Sequence, residues 1–506
     1  MKTGIFIDTF RRYPTGVMLI TFLLIFMSGC VDKEPAFFGE DTEPAGIFPD
    51  YSGVTIPPNI APINFMVTDE GISDAVACFS GLDGYNFAVN SKKDNSKGTS
   101  IIKIPYSKWD KLVSGNTGGK FEIVVYIKRN GAWYKKPAFT VNVSSDSIDP
   151  YIAYRLIPPG YEMWKQMGIY QRELGSFKEK PIMENRQTNG GCMNCHSFSN
   201  YDPGRMSLHL RVKYSGTIIT DNNDIYKVNL KDQDMISGGV YTSWHPGGRF
   251  IAFSLNKTFQ KFHAVKEKVA EVYDEASDIV IYDTEKETIF TDSILYSTVQ
   301  FETFPSFSPD GRYLYFCTSP AKSMPDSLTN IRYSICRVSF NPETGELGSV
   351  ADTLVCAGKT GFSSVFPRIS PDGRFMVFTA FDYGQFPIWH NEADLWIMDM
   401  ENGGELKPIN EINSNRTESY HSWSSNGRWL MFSSRRTDGL YTRLYFAHID
   451  EKGRASKPFM LPQFNPEHNT LRMQSYNIPE FIKGEVPHSP VKFKRASRTE
   501  AFQARF

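Results

Sequence analysis

The stretch Pro305–Cys317, PSFSPDGRYLYFC, decides how this chain folds, because it recurs. In the same register stand TSWHPGGRFIAFS from Thr242, PRISPDGRFMVFT from Pro367 and HSWSSNGRWLMFS from His421. Each copy reads as a short strand ending in Trp, Phe or Ile, then a turn, an Arg and a second strand of alternating apolar residues. Proline presets φ at the turn's second position, Asp or Asn suits its centre, and Gly supplies the positive φ that closes it. A third strand follows each hairpin: SDIVIYDTE from Ser277, YSICRVSFN from Tyr333, ADLWIMDME from Ala393 and TRLYFAHID from Thr442. A fourth, less regular strand comes next, as in ETIFTDSI around Ile289 and DTLVCAG around Val355.

Four antiparallel strands per unit of about 45 to 60 residues is the arithmetic of a β-propeller blade. The copies resemble the TolB-like six-bladed propellers with WD40-like repeats, whose blades carry this SPDGR turn and a following DIW-D strand. The match covers Tyr241 to about Ile449 and implies a fold rather than a function. A degenerate copy precedes it, NYDPGRMSLHLR from Asn200 followed by NDIYKVNLK from Asn223, with one turn residue fewer and Arg205 in the place of Arg249 and Arg312. The expectation is an all-β chain with a propeller over residues 200–475: five clear blades, and a sixth to complete the ring. Either the C-terminal PFMLPQFNPEHNTLRMQSYNIPEF or strands before residue 190 would supply the sixth.

Residues 56–148 alternate differently. PINFMVTDEG, AVACFSG, YNFAVNS and FEIVVYIKRNGAWYKKPAFTVNVS are strands between turn formers, with Arg129-Asn130-Gly131 a hairpin signal. Strand spacing alone makes this a small immunoglobulin-like β-sandwich, since no Cys…Trp…Cys core signature is present. The segment 149–199 is rich in Tyr, Met, Trp and Pro and is expected to pack along the propeller or a cofactor. Residues 476–506 read as a C-terminal tail. Net charge is −1 and the basic residues cluster only in that tail, as VKFKRASR, which argues against a nucleic-acid partner.

Lys2, Arg11 and Arg12 lead an apolar run from Val17 to Met27, and Ser28 and Gly29 precede Cys30, the order of a secretory signal peptide. The run is short for a membrane-spanning helix. Met-Ser-Gly-Cys resembles the lipobox of bacterial lipoproteins, with Met27 in the place of the usual Leu. The resemblance implies that residues 1–29 are removed and that Cys30 is acylated. The chain would then be anchored to a membrane of a Gram-negative-type cell envelope, on its periplasmic side or at the cell surface. A secreted protein with Cys30 near its cleavage site is the alternative. Residues 30–55 begin charged, Pro-bearing and aperiodic, as a tether would, and Asp32-Lys33-Glu34 resembles the charged signal of some surface-exported lipoproteins.

The same compartment gives meaning to NGGCMNCHSFSN, residues 189–200. Cys-x-x-Cys-His is the attachment motif of c-type cytochromes, formed outside the cytoplasm: Cys192 and Cys195 would make thioethers to one haem c, and His196 would ligate its iron. Zinc would need a second ligand pair, and Cys78, Cys317, Cys336 and Cys356 are scattered through other strands. A redox pair would want a helix start, whereas Pro203 and Gly204 break the chain here. A Cys192–Cys195 disulfide would close a strained loop. Candidates for the distal haem position are His209, Met206 and, upstream, Met183. His209 reads as anomalous because Arg205 aligned with Arg249 places it where later blades have Phe253, Phe316 and Phe378; a satisfied core histidine is the ordinary alternative. Cys317 and Cys336 either pair across their hairpin or stay free thiols.

By blade register Tyr241, Arg368, Tyr420 and His421 approach the propeller axis, and Arg368 and His421 are candidate contacts for a partner or ligand. The leading expectation is an envelope lipoprotein with one covalent haem c, passing electrons while the propeller binds a redox partner or small-molecule substrate. A haem-free protein-binding scaffold and a haem-containing periplasmic dehydrogenase are the alternatives. No Gly-x-Ser-x-Gly elbow and too short a C-terminal remainder argue against a hydrolase.

Overall fold

The computed structural model describes residues 34–506 apart from 37–38, 94–99, 159–165, 233–234, 266–267 and 403. The expected signal peptide and the lipid-bearing Cys30 lie outside the described residues. The described chain is all-β, with only short helices between its sheets.

Six antiparallel sheets carry residues 151–503. The first runs Cys192–Phe198, Arg205–Arg211, Gly216–Asp221, Asp224–Asn229, with Phe502–Gln503 added at its edge. The second runs Val240–Trp244, Phe250–Val265, Lys268–Asp283, Thr288–Phe290. The third is Gln300–Phe307, Tyr313–Pro320, Ser334–Phe340, Leu347–Val355. Ser363–Ile369, Phe375–Phe381, Asp394–Asp399 and Leu406–Pro408 make the fourth. Glu418–Trp423, Trp429–Ser434, Arg443–His448 and Phe459–Met460 make the fifth. These strands are the ones the repeat specifies, and their apolar residues form the cores between neighbouring sheets, such as Phe250, Phe307, Phe316 and Phe340 between the second and third. The Arg that closes the turn has a recurring partner, the Asp ending the third strand: Arg249 meets Asp283 at 2.6 Å and Arg205 meets Asp221 at 2.7 Å.

The sixth sheet joins both ends of this region. Ser475–Ile482 is its first strand, followed in space by Tyr151–Ile157, Gly168–Glu173 and Glu179–Glu184. Both sources considered from sequence therefore contribute. The expected tail 476–506 is correspondingly structured: beyond its strand, helix Pro490–Arg498 buries Phe493 and Ala496, and Gln503 pairs with Asn229. The segment 149–199 is likewise three strands of this sheet plus the first strand of the next. First strands pack in sequence, Cys192–Phe198 on Val240–Trp244 and so on through the third, fourth and fifth sheets to Ser475–Ile482, which contacts Cys192–Phe198 again.

The first sheet thus starts at Cys192, not near residue 200. Its turn is one residue longer than the others, not shorter: Phe198 pairs with Met206, whereas Trp244 pairs with Ile251, Phe307 with Leu314 and Trp423 with Leu430. Asn200 and Tyr201, both at positive φ, take up the extra length. Upstream, a seven-stranded and a four-stranded sheet share a core around Ile63, Phe65, Phe79 and Phe121 that continues into Trp429 and Phe446 of the fifth sheet. The proposed tether is drawn in from Gly39 onward, because Gly39–Glu40, Ile47–Phe48 and Thr55–Ile56 all pair with strands of these sheets. A helix absent from the sequence reading, Tyr106–Gly115, packs Trp109, Leu112 and Val113 inward at helical spacing.

Candidate functional site

Each of the six first strands carries a break in its ladder, and at each break a non-glycine residue takes left-handed φ. These are Cys195 (50°), Tyr241 (47°), Phe304 (54°), Phe366 (56°), Tyr420 (46°) and Ile478 (50°). Such a conformation costs about 1 kcal/mol or more per residue, so its sixfold recurrence marks a bulge that re-aims the strand. The aromatic bulge residues cluster edge-on and tilted, with ring centroids 4.6 Å apart for Tyr241 and Phe304, 4.2 Å for Phe304 and Phe366, and 5.3 Å for Phe366 and Tyr420. Above them lies a cavity of about 290 Å³ into which all six first strands contribute.

Two residues past each bulge stand Ser197, Ser243, Ser306, Arg368, Ser422 and Glu480, all on the cavity wall. Four places hold serine, one a cation and one an acid. Arg368 donates to the Pro367 carbonyl at 3.2 Å, and no carboxylate lies within ion-pair range of it among the described residues. Burial pulls its pKa down while Glu480 pulls it up. Glu480 accepts the Phe198 N–H at 2.9 Å. Burial pushes its carboxyl up to about 7, against the Phe198 N–H and Arg368. The two charges sense each other across the cavity without touching. Sequence reading had Arg368 and His421 here but missed Glu480. The signal was present: Ile478-Pro479-Glu480-Phe481 repeats the pattern of Phe304-Pro305-Ser306-Phe307 and Phe366-Pro367-Arg368-Ile369.

One residue past the bulge, the first and fifth strands place His196 and His421, both buried and pushed down to about 3, chiefly by desolvation. His421 Nε2 bonds the Val377 carbonyl at 2.9 Å. His196 is 2% exposed; neither ring nitrogen makes a well-aligned hydrogen bond, and the Ala153 backbone is the polar neighbour that opposes the desolvation.

Cys192 and Cys195 are free and buried, and burial raises both thiols. A c-type haem needs both sulfurs and the imidazole against one porphyrin. The donor types meet that need; their arrangement does not. Cys192 pairs with Arg211 and His196 with Leu208, and because side chains opposite each other share a face, the three-residue step from 208 to 211 puts Cys192 and His196 on opposite faces. The bulge at Cys195 causes this. Cys192 and His196 therefore do not face one haem while this strand stays in its ladder.

The distal candidates follow the same register. His209 pairs with Asn194, on the face away from His196, and its Nδ1 bonds Thr217 Oγ1 at 3.1 Å. It holds the place of Ser254, Cys317, Thr379 and Ser433 rather than of the phenylalanines, the longer turn having shifted the alignment by one. Met206 shares the face of His196 but projects from the same sheet, two positions from Leu208. Met183 lies on the sixth sheet, in the core between it and the first. Cys317 pairs with Ile335 and Cys336 with Phe316, so those thiols point to opposite faces and stay free. Among the described residues no group of three or more His, Cys, Asp or Glu side chains is placed to hold a metal ion, and no helix among them is long and apolar enough to cross a membrane.

No family model matches this chain, and no curated protein matches it. Among solved structures it is similar to prolyl oligopeptidase B from Galerina marginata, at 8% identity and TM-score 0.34, covering 67% of this chain and 42% of that one. It is also similar to an oligogalacturonate lyase in complex with manganese, at 13% identity and TM-score 0.33, covering 59% of this chain and 91% of that one. A DUF4784 family protein from Bacteroides caccae shows 8% identity and TM-score 0.30, with 83% of this chain and 97% of that one covered.

Proposed function

We propose that the chain is a lipid-anchored cell-envelope protein whose six sheets close into a TolB-like six-bladed propeller fronted by an immunoglobulin-like sandwich, and that it is a non-catalytic binding platform acting through the axial cavity. The cycle of contacts among the first strands supports the ring. One observation carries the function: six equivalent strand positions converge on a single cavity, and two of them have exchanged serine for Arg368 and Glu480. A propeller needs no charge there for packing, so the exchange serves whatever enters. Filling the cavity with Ser422→Trp and Ser306→Trp is the test. Partners or ligands cross-linked to the wild-type chain in envelope extracts are expected to be lost from the filled variants, and equal recovery from both removes the cavity as the site.

A second reading, an electron-transfer protein with one haem c, is favoured by the two free thiols next in sequence to a buried imidazole with no well-aligned hydrogen bond. When bound, that group supplies one-electron chemistry, and Cys192, Cys195 and His196 would hold it only after leaving the ladder with Arg205–Arg211. Haem staining of a denaturing gel, after expression with c-type maturation, decides: a stained band lost on Cys195→Ser establishes this reading, and an unstained one leaves the platform alone.

A further inference from the structure

We propose that the axial cavity binds a small zwitterion, an amino acid or short peptide, with its carboxylate on Arg368 and its ammonium on Glu480. This rests on the cavity being the working site. The fourth, fifth and sixth first strands are consecutive neighbours, so Arg368, Ser422 and Glu480 form one arc of the wall. Arg368 has five N–H donors in a fixed fork and uses one on the neighbouring Pro367 carbonyl. Half-buried on the cavity wall with a single neutral acceptor, this guanidinium has donors to spare toward the cavity, and a carboxylate matches its fork with two parallel bonds. Between the two charges, Ser422 completes the wall.

Glu480 sets the choice of ligand. Burial delays its ionisation to about pH 7, and a ligand ammonium beside it draws the proton off; the carboxylate takes one hydrogen bond, from Phe198, and keeps acceptor capacity for more. A plain anion drawn to Arg368 meets the Glu480 charge, and a plain cation drawn to Glu480 meets Arg368; a molecule with both groups satisfies each and repels neither. Trp244, Trp423 and Tyr420 complete the wall and offer apolar surface to a side chain. At about 290 Å³ the space suits a ligand of dipeptide size rather than an inserted protein segment.

The test is calorimetric titration of the full mature chain with the set of Ala-Xaa dipeptides, with their N-acetylated and C-amidated forms, and with succinate and putrescine. At least one free dipeptide is expected to bind, with affinity reduced about tenfold or more by either blocking group. Arg368→Gln should abolish the penalty of amidation and Glu480→Gln that of acetylation, each variant matching only its own end of the ligand. Urea unfolding of both variants checks that they fold. Failure of every free dipeptide to bind, or equal binding of blocked and free forms, overturns the proposal. If succinate or putrescine binds instead and Ser422→Trp removes that binding, the zwitterion is wrong and the platform stands. If binding of any probe survives the filled cavity, the platform fails as well.

Discussion

Cys195-His196-Ser197-Phe198-Ser199 of the first sheet and Tyr420-His421-Ser422-Trp423-Ser424 of the fifth occupy the same five places of the repeat. Both begin on a left-handed bulge residue, bury a histidine next, and turn a serine to the cavity. A histidine stands here in these two strands alone, the other four first strands holding Thr242, Pro305, Pro367 and Pro479. What separates the strands is satisfaction. His421 is bonded to Val377, and Trp423 Nε1 donates to the Arg368 carbonyl at 3.1 Å, as Trp244 does to Ser197 at 3.2 Å. His196 has only a poorly aligned backbone contact, with Ala153 of the sixth sheet, and Phe198 has no donor for such a link, its backbone being held by Glu480 instead. The fifth strand is scaffold, whereas the first has been released from part of that duty.

The largest effect expected from this contrast is at the fourth place. Trp423→Ala removes a side chain 3% exposed together with its bond to the neighbouring sheet, and should destabilise by about 3–5 kcal/mol in urea unfolding. Phe198→Ala, with no such bond, should lie at the low end of that range. Equal losses at the two positions would show that the inter-sheet bond contributes little. Next come the histidines. His421→Phe should destabilise by about 1–3 kcal/mol, because a made hydrogen bond is lost and its acceptor left behind, while His196→Phe should cost less, because its backbone contact with Ala153 is poorly aligned. Equal destabilisation by both would mean that the Ala153 contact of His196 is worth as much as the Val377 bond of His421.

The contrast also explains what could be read beforehand. The four SPDGR-type hairpins and their third strands announce themselves because turn chemistry and alternation are local. The first strand at Cys192 was hidden by its long turn, since Asn200 and Tyr201 add length ahead of the Asp202-Pro203-Gly204 that resembles the other turns. That one-residue slip misassigned His209, for in a strand a shift of one changes the face. The sixth sheet pairs residues 151–157 with 475–482, a non-local union that no repeat encodes. Arg368 and His421 were legible as departures from a pattern, but the six bulges were not, because none uses glycine. Whether Cys192 and Cys195 are free or joined was likewise not readable from a five-residue motif; it depends on the ladder.

The smallest effect concerns how each strand is tied to the sixth sheet. The fifth sheet's turn is held by Asp149, which accepts from Ser425 N–H at 2.6 Å, and the first strand by Glu480. Burial pushes Glu480 from its ordinary 4.5 up to about 7, so the fold prefers its protonated form. A carboxyl with a raised folded-state pKa contributes stability that is fully present below the unfolded value and is lost as pH rises through the folded one. Glu480→Gln keeps an acceptor for Phe198 while deleting the titration, and the depressed histidines, being common to both proteins, cancel in the comparison. The wild type's thermal midpoint should therefore fall relative to the variant's by a few degrees between about pH 4.5 and pH 7 and change little above it. A difference that stays flat across that window would mean that Glu480 is ionised in the folded protein throughout, with Arg368 rather than burial governing it.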